Sequence, residues 1–324
     1  MKRKLLVCTL VLLTVAFSAA AGPVRLRFGS NAPINSPTHL AQEEFARLVV
    51  EKTNGEVIIE VFPANQLGGN RELIEAVKMG AIDLELQGSA NTMYLGPEEY
   101  AVMRVPFIFR DQEHVYKVLE GPIGQRLIEQ VEKSGVLVLN QRWDRLPRHV
   151  SARVPIRTPE DMQNLKIRNG DRASVEGFRI IGAAPVNIPL NEMYLALQQG
   201  VADGANLPLD YFWEHSIYEV NKYLNLLYQN FDVQMLLANA RRFNSLSPEH
   251  QQALLEAAEE AAEYNNKLTW ESEADYAEKL AGAGMEVIRV DMEPFYNLIR
   301  ERVDEIYAIY PSTKGFVEEI DAVQ

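Results

Sequence analysis

Cysteine is almost absent from this chain of 324 residues, and Cys8 is the only one. Cys8 lies in a leader-like N-terminus, so the rest of the chain carries no thiol. Disulfides, thiolate nucleophiles and zinc–thiolate sites are thereby excluded from it. Phosphate-cradling glycine patterns are missing as well: neither GxxxxGK[ST] nor GxGxxG occurs. GxSxG and HExxH are also absent. The 5 histidines, His39, His114, His149, His215 and His250, are scattered with no pair at chelating helical spacing. Nothing in these patterns calls for a cofactor, a metal or a catalytic residue. A carboxylate pair for hydrolase or lyase chemistry stays open, because acids are plentiful. Basic charge is scarce: 32 Lys and Arg stand against 45 Asp and Glu, a net −13. Such a surface repels nucleic acid and anionic lipid. An anion site in this chain has to work through local donors rather than long-range attraction.

What is present begins with a leader. Lys2, Arg3 and Lys4 precede the apolar run from Leu5 to Phe17, and Ser18-Ala19-Ala20-Ala21-Gly22 supplies small residues. This pattern predicts a secretory signal peptide over 1–21, cut after Ala21. The apolar run falls short of the roughly 20 residues that span a bilayer. Removal would leave 29 basic against 45 acidic residues, a charge of −16. The expected product is a periplasmic protein, monomeric by default. At this length it can bury a core without staples and form two lobes.

Strand and helix signals then alternate. Val24 to Gly29 and Val57 to Phe62 read as strands, and Pro37 opens a helix through Glu51. Leu73 to Met79 is helical and stops at Gly80, and Ile82 to Leu86 returns to strand. After a looser region near Tyr94 to Pro106 the alternation resumes: helices at Gln112–Leu119 and Ile123–Glu132, strand at Val136–Asn140, strand at Leu165–Arg168, helix at Arg172–Ile181, strand at Ala184–Ile188 and helix at Asn191–Gln199. This order predicts an α/β fold with largely parallel sheets. Ser247-Pro248-Glu249 is a strong helix start. No glycine or proline follows until Gly282. A helix of that length spans roughly 50 Å, enough to brace two lobes. Its many acids read as a solvated face.

Leu165-Lys166-Ile167-Arg168 carries the sharpest chemical signal. An arginine at a strand end can grip a carboxylate through two parallel charge-assisted hydrogen bonds. Arg148 lies 20 residues earlier, and Arg142, Arg145 and Arg153 are its neighbours. Other segments stand in order around this one: Phe62 to Gly69, Glu75 to Asp83, Val105-Pro106-Phe107-Ile108-Phe109, Gly182-Ala183-Ala184-Pro185 and Ala196 to Gly204. Together they resemble the solute-binding proteins of the tripartite ATP-independent periplasmic (TRAP) transporters over essentially the whole mature chain.

That resemblance implies two α/β lobes of periplasmic-binding-protein type (class II-like), joined by crossing strands and braced by the long helix. The expected lobes are 22–145 with 232–271, and 146–231 with 272–324. The resemblance further implies a cleft ligand, hinge closure over it, and TRAP membrane subunits as the partner that accepts it. It implies that Arg168 binds the ligand carboxylate, that Arg148 or a neighbouring arginine assists, and that Asn206 and Asn31 match cleft positions. Gln87, Ser89 and Asn91 follow the third strand, where an α/β sheet presents its binding loops. Asn169 adds a neutral donor, and Asp232 lies where the chain should cross back to the first lobe and could accept from hydroxyls. Phe212 and Trp213, beside Tyr211, could wall the ligand, and Trp143 could stack on it; each could equally be core. The first lobe's loops show no further cation for a second carboxylate. The favoured ligand is therefore a small hydroxylated monocarboxylate, a sugar acid or hydroxy acid, with an aromatic or branched-chain acid as rival. A ligand-sensing receptor subunit, or a periplasmic enzyme acting on organic acids, are the alternative functions.

Overall fold

A computed structural model describes residues 22–169 and 172–324. The signal-peptide expectation lies outside the described residues. Among these residues the strands are, in chain order, β1 (Val24–Ser30), β2 (Val57–Phe62), β3 (Leu84–Gly88), β4 (Val136–Asp144), β5 (His149–Ala152), β6 (Lys166–Asn169), β7 (Ala184–Asn187), β8 (Gly204–Leu207), β9 (Tyr223–Leu226), β10 (Val233–Asn239) and β11 (Glu286–Arg289). They form two sheets, ordered β2-β1-β3-β10-β4 and β11-β9-β5-β8-β6-β7. Helices pack around each, giving a two-lobe α/β architecture.

The sheets are mixed rather than largely parallel. β1 pairs parallel with β2 and β3, but β10 runs antiparallel to both β3 and β4. In the second sheet β5 is antiparallel to β8 and β9, while β6, β7 and β8 are parallel. The physical cause is connectivity. The chain leaves the first sheet at β4, builds β5 to β9, and re-enters the first sheet through β10. A returning strand that slots between two existing ones has its direction set by where it enters.

Helix starts and stops follow local chemistry. Ser36 accepts the His39 backbone N–H ahead of Pro37, capping the helix Pro37–Lys52. Gly80 ends the helix Asn70–Met79 at φ 77°, a left-handed position where a Cβ is costly. The segment Val105 to Phe109, which begins within the region read as looser (Tyr94 to Pro106), is a tight joint. Phe107 holds φ 60°, donates its N–H to the Gln229 carbonyl at 2.6 Å and stacks on Phe295 at 5.0 Å. Gly177 lies against Pro106 so closely that a Cβ there would come within 2.2 Å of the proline ring.

The long helix Pro248–Gly282 runs 35 residues. Leu254, Ala257, Ala258 and Ala261 pack in the first-sheet core with Phe28 and Phe45, whereas Leu280 packs in the second-sheet core with Phe212 and Leu224. Between these ends its buried residues turn polar: Asn265, Thr269 and Glu273 recur every four positions on one face. That face meets the crossing segment. Asn266 donates to the Arg142 carbonyl at 2.7 Å and accepts the Asp144 N–H at 2.8 Å, and Asn265 donates to the Asp144 carbonyl at 3.0 Å. Trp270 Nε1 donates to Asp144 Oδ2 at 2.8 Å, and His149 Nε2 meets Glu273 Oε1 at 2.7 Å. The helix is thus bound apolarly to each lobe and by hydrogen bonds to the joint.

Candidate ligand-binding cleft

A cavity of about 640 Å³ opens between the sheets, a volume suited to a small molecule. The first sheet and its loops contribute Asn31, Asn70, Gly88, Asn91 and Arg104. The crossing segment adds Arg145 and Arg148, the second sheet and its loops add Arg168, Asp210 and Tyr211, and the long helix adds Thr269.

Arg168 stands on β6 between β7 and β8, in register with Val186 and Ala205. It is 5% exposed, and its Nε donates to the Ile188 carbonyl at 2.9 Å. That bond fixes the plane of the guanidinium. A planar guanidinium on the cavity wall suits a carboxylate, which it can meet through parallel charge-assisted hydrogen bonds. Arg148 precedes β5, and its Nη1 donates to the Asn206 carbonyl at 3.3 Å. Of the competing arginines, Arg142 pairs with Glu120 at 3.0 Å and lies over Tyr116. Arg153 donates to the carbonyls of Leu197 and Gln198. Neither lines the cavity; Arg145 does.

Several expected contacts form a supporting layer instead. Asn206 and Asn169 are buried side by side, with Asn206 Nδ2 donating to Asn169 Oδ1 at 2.8 Å and Gln229 donating to Asn206 Oδ1. Gln87 is buried behind the wall; it donates to the Asn70 carbonyl at 3.2 Å and accepts from the lining Asn91 at 2.8 Å. Ser89 donates to Asp232 Oδ1 at 2.5 Å. Asp232 also accepts from Arg104 at 3.0 Å, Arg145 at 3.2 Å and the Val233 N–H at 2.9 Å. Its oxygens are filled by the protein, which corrects the expectation that it takes ligand hydroxyls. The aromatic wall also needs correction. Phe212 is fully buried in the second-sheet core, Trp213 packs there against Tyr218, and Trp143 is core in the first lobe. Tyr211 is the member of its run that lines the cavity, because a helix of six residues turns only one face to it.

Sequence reasoning missed Arg104 as a cleft cation, and took the first lobe to have none. The signal was its place one residue before the Val105–Phe109 segment. It also missed Asp210, whose carboxyl is pushed up to about 7, first by burial and then by the charges of Glu214 and Glu273.

Behind the first-sheet wall, burial raises the Glu85 carboxyl to about 8, with Gln87 Nε2 donating to it at 2.8 Å. A carboxyl raised in the fold binds a proton on folding. Its stabilising contribution is therefore complete below the unfolded value of 4.5 and is lost as pH rises through about 8. Over that window wild type should lose about 1.4 kcal/mol per pH unit relative to Glu85→Gln. Urea unfolding of both proteins between pH 5 and 8 measures this. A difference that stays constant across the window would refute it.

Comparison with known proteins agrees with this architecture. The model of bacterial extracellular solute-binding protein, family 7, matches residues 28–310. The 2,3-diketo-L-gulonate-binding periplasmic protein of Escherichia coli is 33% identical over 303 residues, 92% of each chain. The C4-dicarboxylate-binding periplasmic protein of Rhodobacter capsulatus is 28% identical, covering 85% of this chain and 83% of that one. The TRAP periplasmic solute-binding protein of Roseobacter denitrificans, solved with β-D-glucuronate, superposes with TM-score 0.79 at 28% identity, covering 93% of this chain and all of that one. With its family model spanning most of the chain and an arginine-lined cleft between its two lobes, this protein belongs to the bacterial extracellular solute-binding proteins of family 7, the binding components of TRAP transporters.

Proposed function

We propose that this protein captures a small hydroxylated monocarboxylate, a sugar acid or hydroxy acid, in the periplasm and delivers it to TRAP membrane subunits. The observation that carries this reading is the makeup of the cleft. Arg168 and Arg148 offer planar forks for one carboxylate, and Asn31, Asn70 and Asn91 line the same cavity with neutral amides. Asn31 Nδ2 donates to Asn70 Oδ1 and Asn91 Nδ2 to Gln87, and an apolar acid would bury the remaining amide atoms of the three without partners, at about 1–3 kcal/mol each. The diketo-gulonate and glucuronate of the relatives belong to the favoured ligand class.

In this reading the protein is not an enzyme, and the leader over 1–21 directs export. The lobes meet at 145/146, 231/232 and 271/272; the division of strands between the two sheets supports the first two boundaries, and the third falls within the long helix. The lobes close over ligand, and the long helix bends without breaking, having no internal proline or glycine. The C4-dicarboxylate relative supports a second reading, since Arg104 and Arg145 bring cations to the first-sheet side.

A ligand panel decides between them. Unfolding is followed with D-gluconate, D-glucuronate, L-lactate, succinate and benzoate. A hydroxylated monoacid at 100 times its Kd should add about 2.7 kcal/mol of stability. A response to succinate or benzoate alone would reverse the assignment.

A further inference from the structure

We propose that Gly88 and Arg145 act as one specificity determinant, a donor site that reads oxygen atoms at the end of the ligand remote from Arg168. The proposal rests on the sugar-acid reading and adds to it where the chain of hydroxyl or oxo groups is recognised.

Three observations carry it. The first is where Arg145 sits. It follows β4 on the crossing segment, and its backbone N–H donates to the Asp232 carbonyl at 3.2 Å. Its Nη1 donates to Asp232 Oδ2, also at 3.2 Å. The side chain is therefore anchored at both ends of its length, yet it remains 35% exposed and lines the cavity. Asp232 is its side-chain hydrogen-bond partner among the described residues, and a guanidinium carries five N–H donors in all.

The second is Gly88. Its backbone has φ −59° and ψ 139°, a conformation open to any residue. Glycine is not needed for the turn. It is needed for room: a Cβ at this position would lie 2.5 Å from Arg145 Nη1. The missing side chain at the end of β3 is what lets the guanidinium lie against the first sheet.

The third is charge. Asp232 is shared between Arg104 and Arg145, two cations on one carboxylate. The first-sheet end of the cleft is thus donor-rich and electropositive, while Arg168 stands on the second sheet. With Arg168 on the second sheet and Arg145 against Gly88 of the first, a ligand whose carboxylate is held by Arg168 would turn its other end toward Arg145. A donor cluster of this kind favours long acids bearing oxygen acceptors over short ones that stop before reaching it.

Calorimetry with two probes tests the idea: D-gluconate, whose hydroxyl chain is long enough to extend from one sheet toward the other, and L-lactate, which keeps the carboxylate and α-hydroxyl alone. Wild type should prefer gluconate by about tenfold or more, the size of a hydrogen bond from a charged donor. Arg145→Gln should cut that preference at least about fivefold, with lactate affinity altered by less than about threefold. Gly88→Ala should do the same with Arg145 present, since the new Cβ meets only the tip of a flexible side chain and the fold tolerates it. The unfolding midpoint of each variant is read alongside. Both acids weakening in parallel would mean a structural role and would overturn the proposal, as would a preference that survives both substitutions. Wild type binding no polyhydroxy acid at all would remove the sugar-acid reading, and this inference with it.

Discussion

Arg168→Ala is expected to weaken carboxylate binding at least about tenfold. A hydrogen bond to a charged group contributes about 1.5–3 kcal/mol, and 1.4 kcal/mol is a factor of ten. The side chain is almost wholly buried and its guanidinium is held in plane by the Ile188 carbonyl, so little orientation has to be gained on binding. Arg168→Lys keeps the charge but loses the planar fork, and should not restore affinity. Arg148→Ala should cost less, because Arg148 is steered by a longer bond to Asn206. Isothermal calorimetry on the best ligand of the panel reads all three. Unchanged affinity in Arg168→Ala would end the claim that this arginine is the clamp.

The second large effect concerns the joint. His149 is fully buried on β5, next to Arg148, and faces Glu273 of the long helix. The Tyr228 N–H points at His149 Nδ1 at 3.3 Å. Nδ1 is then the acceptor and Nε2 the donor to Glu273. His149→Leu would leave the Glu273 carboxylate buried without its donor, and should cost about 3 kcal/mol or more of folding stability. Replacing both residues by leucine should recover most of that loss, since a buried pair exchanged for apolar groups is often neutral. Urea midpoints of the single and double variants test this. A double variant no more stable than His149→Leu would show that the pair does not act as a unit.

Much of the architecture was legible where the signals are local. Ser36-Pro37 and Ser247-Pro248 mark helix starts, and Gly80 marks a stop, because capping and left-handed turns depend on a few adjacent residues. β5, β8, β9 and β11 are four residues each, and β5 and β8 are buried at every position. Strands covered on both faces show no alternation, so their sequence does not announce them. β10 is likewise buried at all seven positions, and only its neighbours decide its direction.

The site divided along a similar line. Arg168, Arg148, Asn31 and Asn91 are placed on the cavity wall. Asn206, Asn169, Gln87 and Ser89 hold that wall from behind, a distinction that depends on which way a side chain leaves the backbone. Asp232 shows the limit most clearly. Its place at the crossing was readable, but its oxygens are claimed by Arg104 and Ser89, residues more than a hundred positions away in sequence.

The placement of β10 has a consequence for how the chain acquires its fold. β10 lies between β3 and β4 in the first sheet, yet the whole of 145–232 separates it from β4. The first sheet therefore cannot close until most of the second has been made, and β9 gains β11 only after the long helix. Neither half can run ahead of the other. Contacts this distant in sequence close slowly, because loop entropy is spent before any contact is gained. A nascent thread of this protein cannot complete its first sheet until β10, ending at Asn239, is available.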